Sequence, residues 1–441
     1  MAFTPETNTI IMFLMMFIGI FSGYQLAFVL SGVGLLYGVF LFGLSYINTL
    51  TMAFFNVMQN YVLLAIPLFV LMGNIMQDSG AGKKIYDGFY VLLGKLNGGL
   101  LLTTNALATL FGACTGVVGA SVTTVGTLSL PAMMERGYDK KLAAGMICAG
   151  GCLGVLIPPS IMIVVYGPIA GISVGGLFMS VMTAGLILSA FYMVYTAIRC
   201  NKNPNLGLPI SEENREKAIK EIGLKGIVFS IIPPLFIMIA VLGSIFFGIA
   251  APTEAAAVGV VASIILGLAY KNFHIKDLKK SLEGTLITSS MILTMSVGAI
   301  IFISTFNSLG GIGVVSRFIL GLPFGKWGIF LLMFIVTAIL GMFLDWIGIV
   351  YLVVPLFTPI AAELGFNPLW FATMMILFLQ FSYLTPPFAL AVFYFRSISP
   401  PEFTTGLLYR AVVPFIIIQV IVFLLLTTFP GIVLWLPNMM S

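Results

Sequence analysis

The reading of the fold turns on GGCLGVLIPPSIMIVVYG, residues 150–167. The stretch has no charge and the length of a membrane-spanning helix. Yet Pro158 and Pro159 stand side by side at its centre. A proline inside a helix removes a backbone donor and clashes with the preceding turn, so an adjacent pair interrupts it. Irregular backbone at membrane depth is tolerated only where it is buried in protein or lines a wet cavity. A break here therefore points to a site.

The surrounding chain bears out the membrane setting. Its 441 residues are 60% hydrophobic and 8% charged, with a mean hydropathy of +1.13. Soluble domains carry about 25% charge. Apolar stretches of about 20 residues recur from end to end, which is the pattern of an all-α polytopic membrane protein. A β-barrel would show short alternating segments instead. The apolar N-terminus lacks a small-residue cleavage site after a basic region, so it is expected to be a retained helix. Cys114, Cys148, Cys152 and Cys200 lie within or at the ends of apolar segments and read as small packing residues. The single histidine, His274, sits in a basic loop, which argues against a zinc site or a histidine triad. No His-Glu-x-x-His and no paired acids within one helix suggest an enzyme. The basic residues are spread over separate loops, so no nucleic-acid partner is expected.

Those basic residues orient the chain. They cluster at Lys83–Lys95, Arg136–Lys141, Arg199–Lys225 and Lys271–Lys280, with Arg396 further on. Placing these loops in the cytoplasm satisfies the positive-inside rule. Only Arg317 and Lys326 fall in a loop, 310–326, placed outside. Residues 98–134 begin and end beside cytoplasmic clusters and are too few for two spans and a turn. With GACTGVVGAS at the centre they are expected to form a re-entrant hairpin. Five crossings follow, near 140–171, 175–198, 226–249, 252–270 and 284–306. Segment 328–361, centred on GMFLDWIG, then reads as a second hairpin entering from outside.

A shift of 228 residues superposes the two regions without a gap. Pro131 meets Pro359, Glu135 meets Glu363, Gly137 meets Gly365, Tyr166 meets Tyr394, and Pro158-Pro159 meets Pro386-Pro387. An odd number of crossings separates the copies, so they are expected to be inverted-topology repeats, each with a hairpin and an interrupted helix. Many secondary transporters are built this way, with sites at the repeat interface. The implied divisions are scaffold helices and an interfacial arm (1–97), repeat 1 (98–174, with hairpin 98–134 and interrupted helix 140–171) and scaffold helices with loop 199–225 and a second arm (175–327). Repeat 2 follows (328–403, with hairpin 328–361 and interrupted helix 367–397), then a last scaffold helix (404–441). Lys83–Lys95 and Ile275–Glu283 read as arms lying flat in the interface. Run 8–43 is long for one span and short for two, with a break placed near Gly19–Gly23.

The expected site lies at hairpin tips 112–121 and 341–348 and interruptions 154–160 and 382–388. Unwound backbone offers carbonyls to Na⁺ and amides with helix N-terminal dipoles to anions. Hydroxyls gather at the same depth. The candidates are Thr115, Gly116, Ser121, Thr123 and Thr124 at the first tip, and Gly154, Pro158, Pro159 and Ser160 at the first break. Gly341, Asp345 and Gly348 belong to the second tip, and Ser382, Thr385, Pro386 and Pro387 to the second break. For Na⁺ the leading set is Gly116, Ser121, Gly154, Asp345 and Thr385. Asp345 is the one acid expected deep in the membrane, where acids are costly and usually functional. Cation coordination and helix N-capping both stay open for it. Glu254, in the first turn after Pro252-Thr253, reads as structural.

The motifs GGCLGVLIPPSIMIVVYG, APTEAAAVG and GYDKKLAAGMICAGG resemble the large membrane subunit of tripartite ATP-independent periplasmic (TRAP) transporters over essentially the whole chain. The resemblance implies an elevator-type, Na⁺-driven importer of organic acids in the cytoplasmic membrane of a bacterium or archaeon. It implies a periplasmic substrate-binding protein and a small four-helix membrane subunit, expected on a separate chain. Na⁺ is then the coupling ion, and no other cofactor is expected. One departure is Trp346-Ile347 after Asp345, where many members of that family carry small residues or proline. A bulky aromatic there either selects an acid other than a small C4-dicarboxylate or packs on the scaffold. The alternative is a stand-alone Na⁺/organic-anion symporter that needs no binding protein.

Overall fold

The computed structural model describes residues 4–440 except Asn272 and Phe388; the side chains of residues 113–115 and of Leu224 also lie outside the described residues. The chain opens with α1 (Pro5–Phe21), α2 (Leu26–Phe42), α3 (Asn48–Met58), α4 (Ala65–Asp78) and α5 (Ala81–Leu93). Then come α6 (Gly99–Thr115), α7 (Val118–Glu135), α8 (Lys140–Leu156), α9 (Ile161–Ala170) and α10 (Val174–Lys202). A connecting set follows: α11 (Glu212–Ile222), α12 (Leu224–Phe246), α13 (Pro252–Ala269) and α14 (Ile275–Ser308). The second half holds α15 (Gly311–Leu320), α16 (Gly325–Gly341), α17 (Trp346–Glu363), α18 (Pro368–Leu384), α19 (Leu390–Ile398), α20 (Thr405–Thr428) and α21 (Gly431–Leu434). Among the described residues there is no strand. Seven helical segments among the described residues are long and apolar enough to cross a membrane, and the bent pair α8–α9 makes an eighth.

The repeat is written in the backbone. Helices α7 and α17 keep the 228-residue offset at both ends, and so do α8 and α18. Between them Gly137 and Gly365 turn the chain at the same φ of 70°, a left-handed conformation that glycine adopts without strain. Asp139 and Asn367 then cap α8 and α18, accepting from the amides of Leu142 and Trp370; such caps satisfy donors that a helix start leaves orphaned. Both helices end at a proline pair joined by a cis peptide, Pro158-Pro159 and Pro386-Pro387. Between hairpins α6–α7 and α16–α17 lie α8–α9, α10, α12, α13 and α14, five apolar crossings. The odd number inverts the second repeat relative to the first.

The repeats share one core. The second arm of each hairpin packs on the other repeat's second half-helix, α7 on α19 and α17 on α9. Gly119 allows one of these approaches: a Cβ there would lie 2.9 Å from the Tyr394 ring. Helices α8 and α18 meet at the centre, flanked by α10 and α20.

Several expectations change. Run 8–43 is two helices, α1 and α2, turning at residues 22–25. The second arm is not a separate element, because Ile275–Ser308 is one unbroken helix of 34 residues. The outer loop 310–326 contains helix α15, entered through Gly310 at φ 75°. The interruptions are shorter than expected: α8 continues to Leu156 and α18 to Leu384, so Gly154 and Ser382 sit in the last helical turns. Glu254 accepts from the Ala251 amide at 2.9 Å, the structural role expected of it.

Candidate ion and substrate site

At the first break the prolines act on particular carbonyls. The amides that would bond Gly154 O and Val155 O belong to residues 158 and 159, both proline, and are missing. The Ser160 hydroxyl takes over one carbonyl, donating to Val155 O at 2.5 Å. The hairpin closes on the other. A Cβ on Gly112 would come within 2.6 Å of Gly154 Cα, and a Cβ on Gly154 within 2.7 Å of Ser121 Oγ and 2.9 Å of Gly112 O. Gly112 on α6 and Gly154 on α8 therefore meet backbone to backbone, with the Ser121 hydroxyl of α7 against them. Gly116, at φ 62°, turns the tip and lies against Ile161 at the start of α9. Residues 157–160 are all buried.

The second break repeats the plan with different atoms. Position 382 is equivalent to 154, and a Cβ on Gly341 would run into the Ser382 side chain. Here a cavity of about 10 Å³ remains, lined by Gly341, Leu344, Trp346, Ser382, Tyr383 and their neighbours. That is about one water-sized sphere. The Ser382 Oγ and the Tyr383 hydroxyl are buried there without a hydrogen-bond partner. Buried polar atoms are nearly always paired, so two orphans beside a one-atom cavity mark a place for a small polar occupant. The Thr385 hydroxyl is used elsewhere, donating to Phe381 O at 2.5 Å, and Tyr409 donates to Pro387 O at 3.0 Å.

Asp345 takes the N-cap position of α17 but makes no side-chain cap bond, and its side chain is exposed. Pro386 and Pro387 are exposed as well. Tyr394 is 40% exposed, whereas its repeat mate Tyr166 is fully buried. The second break is thus the more exposed of the two.

The expected residues divide accordingly. Gly116, Ser121, Gly154 and Ser160 gather at the first break, and Gly341 and Ser382 at the second, where Asp345 and Thr385 flank the same tip and interruption. Three of the candidates face elsewhere or lie outside view. Gly348 packs toward Leu26 on α2 rather than into the cavity. Thr123 donates back to Gly119 O at 2.7 Å within its own helix. The Thr115 side chain lies outside the described residues, as does Phe388 in the second break. Gly112, Tyr383 and Tyr394 were not singled out from sequence. The repeat held a signal for one of them, because Tyr394 pairs with Tyr166 at the 228-residue offset; Gly112 falls opposite Leu340, so its approach to Gly154 shows only in the structure.

Two inverted repeats, each with a re-entrant hairpin clamped on a broken helix, define a membrane transport protein of the secondary-transporter class. Within that class, the family described as "Tripartite ATP-independent periplasmic transporter, DctM component" matches residues 9–432, and the chain belongs to it. It is a large permease subunit and a multi-pass inner-membrane protein. It is 30% identical to the C4-dicarboxylate TRAP transporter large permease protein DctM of Pseudomonas aeruginosa, over 91% of this chain and 92% of that one. It is 29% identical to the sialic acid TRAP transporter large permease protein SiaM of Vibrio cholerae, over 95% and 96%. The isethionate TRAP transporter permease protein DctMQ of Oleidesulfovibrio alaskensis is also 29% identical, with 58% of its length covered. In fold the chain is similar to the YdaH transporter of Alcanivorax borkumensis, with a TM-score of 0.64 at 16% identity, covering 88% of this chain and 89% of that one.

Proposed function

We propose that this permease is a Na⁺-coupled carrier, not an enzyme, and that it imports an organic acid. The acid is handed over by a periplasmic binding protein, and a small membrane subunit sits beside the permease. The observation that carries the Na⁺ reading is the second break. Its cavity has the size of one atom, and the Ser382 and Tyr383 hydroxyls beside it have no partner. Neutral oxygens of this kind suit a cation that must be released again. The named relatives favour an organic anion: their substrates are C4-dicarboxylate, sialic acid and isethionate. For this chain a carboxylate is the first choice. Asp345 would bias the open cleft toward the cation, so that the anion enters only once Na⁺ is bound. The asymmetry supports alternating access: one break is buried while its inverted mate is more exposed, and an elevator-like shift of the hairpins and broken helices would exchange them.

Uptake in proteoliposomes tests this reading. With the small subunit present, an inward Na⁺ gradient and the cognate binding protein loaded with acid should drive accumulation, and omitting either should abolish it. Transport that needs no binding protein would favour the stand-alone symporter instead.

A further inference from the structure

Away from both breaks, a cavity of about 670 Å³ opens sideways between α1, α15 and the hairpin α16–α17. Its rim carries Glu6 and, beside Phe318, Arg317, whose guanidinium lies 3.7 Å from the Glu6 carboxylate. Its deep end is Phe17 on α1 and Leu340 on α16. From Glu6 to Phe17 the helix rises about 16 Å, close to half of a hydrocarbon core of about 30 Å. The groove is therefore one leaflet deep. Its walls are aliphatic and aromatic. The Thr9 hydroxyl, the polar group just inside the rim, is spent on Pro5 O at 2.8 Å. A water needs several polar partners, and these walls supply none.

We infer that the groove is a phospholipid site, with one acyl chain between α1 and the second hairpin and the headgroup phosphate on Arg317. Charge fits this occupant. The Glu6–Arg317 pair is long and both side chains are more than half exposed, so it holds weakly. The planar guanidinium matches a phosphate in two-point contact. The site stands independently of the proposed transport function.

Native mass spectrometry of the protein, purified from its membrane in mild detergent, tests the assignment. The wild type should retain a phospholipid through detergent washing. Val336→Trp, which fills the groove from α16, should lose it, and Arg317→Glu should weaken retention while leaving elution and thermal unfolding unchanged. Equal retention in wild type and Val336→Trp overturns the proposal. If Val336→Trp fails to fold, the exposed rim variant decides, and unchanged retention in Arg317→Glu overturns it. Cross-linking of Phe318→Cys to a second polypeptide in native membranes also overturns it, by placing a protein helix where the lipid is assigned.

Discussion

Gly154 is the residue on which the first break depends. It meets Ser121 and Gly112 at distances no side chain could share. Gly154→Ala should therefore cost about 1–3 kcal/mol as overpacking and lower uptake by prising the hairpin tip from α8. Thermal unfolding in detergent checks the first effect; an unchanged melting temperature would show that the tip gives way freely. Asp345 is a different case, because it caps nothing and is exposed. Asp345→Asn should leave folding intact and weaken the response of uptake to Na⁺. Normal uptake with an unaltered Na⁺ response would remove it from the coupling machinery. Both residues were legible in the sequence, one as a glycine before a proline pair and the other as a lone deep acid. What could not be read was their geometry: Gly348 looks identical to Gly341 on paper, yet serves contact with Leu26.

Breaks and glycines mean different things in different elements, and there the sequence misled. At Gly284 the expected boundary between an arm ending at Glu283 and a span beginning at 284 is missing, because α14 runs straight through it. The glycine instead admits Asn74 of α4, whose side-chain nitrogen would lie 3.3 Å from a Cβ at that position. That amide donates to Ser281 O and Thr285 Oγ1. Helix α15 was hidden by its glycines, although the 228-residue shift of arm α5 would have placed a helix there. A third proline pair, Pro233-Pro234, lies inside α12 without breaking it. The carbonyl that Pro233 leaves free, Phe229 O, is taken by the Tyr270 hydroxyl at 3.1 Å. In α12 a neighbouring tyrosine thus supplies one of the two donors that the proline pair removes. Tyr270→Phe should destabilise by about 0.5–1.5 kcal/mol, the usual net worth of a hydrogen bond, without altering the Na⁺ dependence of uptake. A shifted Na⁺ dependence would show that α12 belongs to the transport machinery.

Over the whole molecule, the inverted repeat was the most legible feature, because an apolar chain shows its turns and proline pairs plainly and its basic loops fix the crossing parity. The cross-packing of α7 on α19 and α17 on α9 was not legible, since contacts between repeats leave no local periodicity. That cross-packing ties the two breaks together. A movement that opened one cleft would therefore shift a half-helix on which the other hairpin leans. The central claim is that the second break holds the coupling ion. The Ser382 hydroxyl has no protein partner, so Ser382→Ala should leave stability unchanged and alter only the ion's surroundings. Initial uptake rate measured against Na⁺ concentration in proteoliposomes, for wild type and Ser382→Ala, tests this most directly. The account predicts a Na⁺-dependent curve for the wild type and a shift to higher Na⁺ for the variant. Superimposed curves, or uptake indifferent to Na⁺, would contradict it.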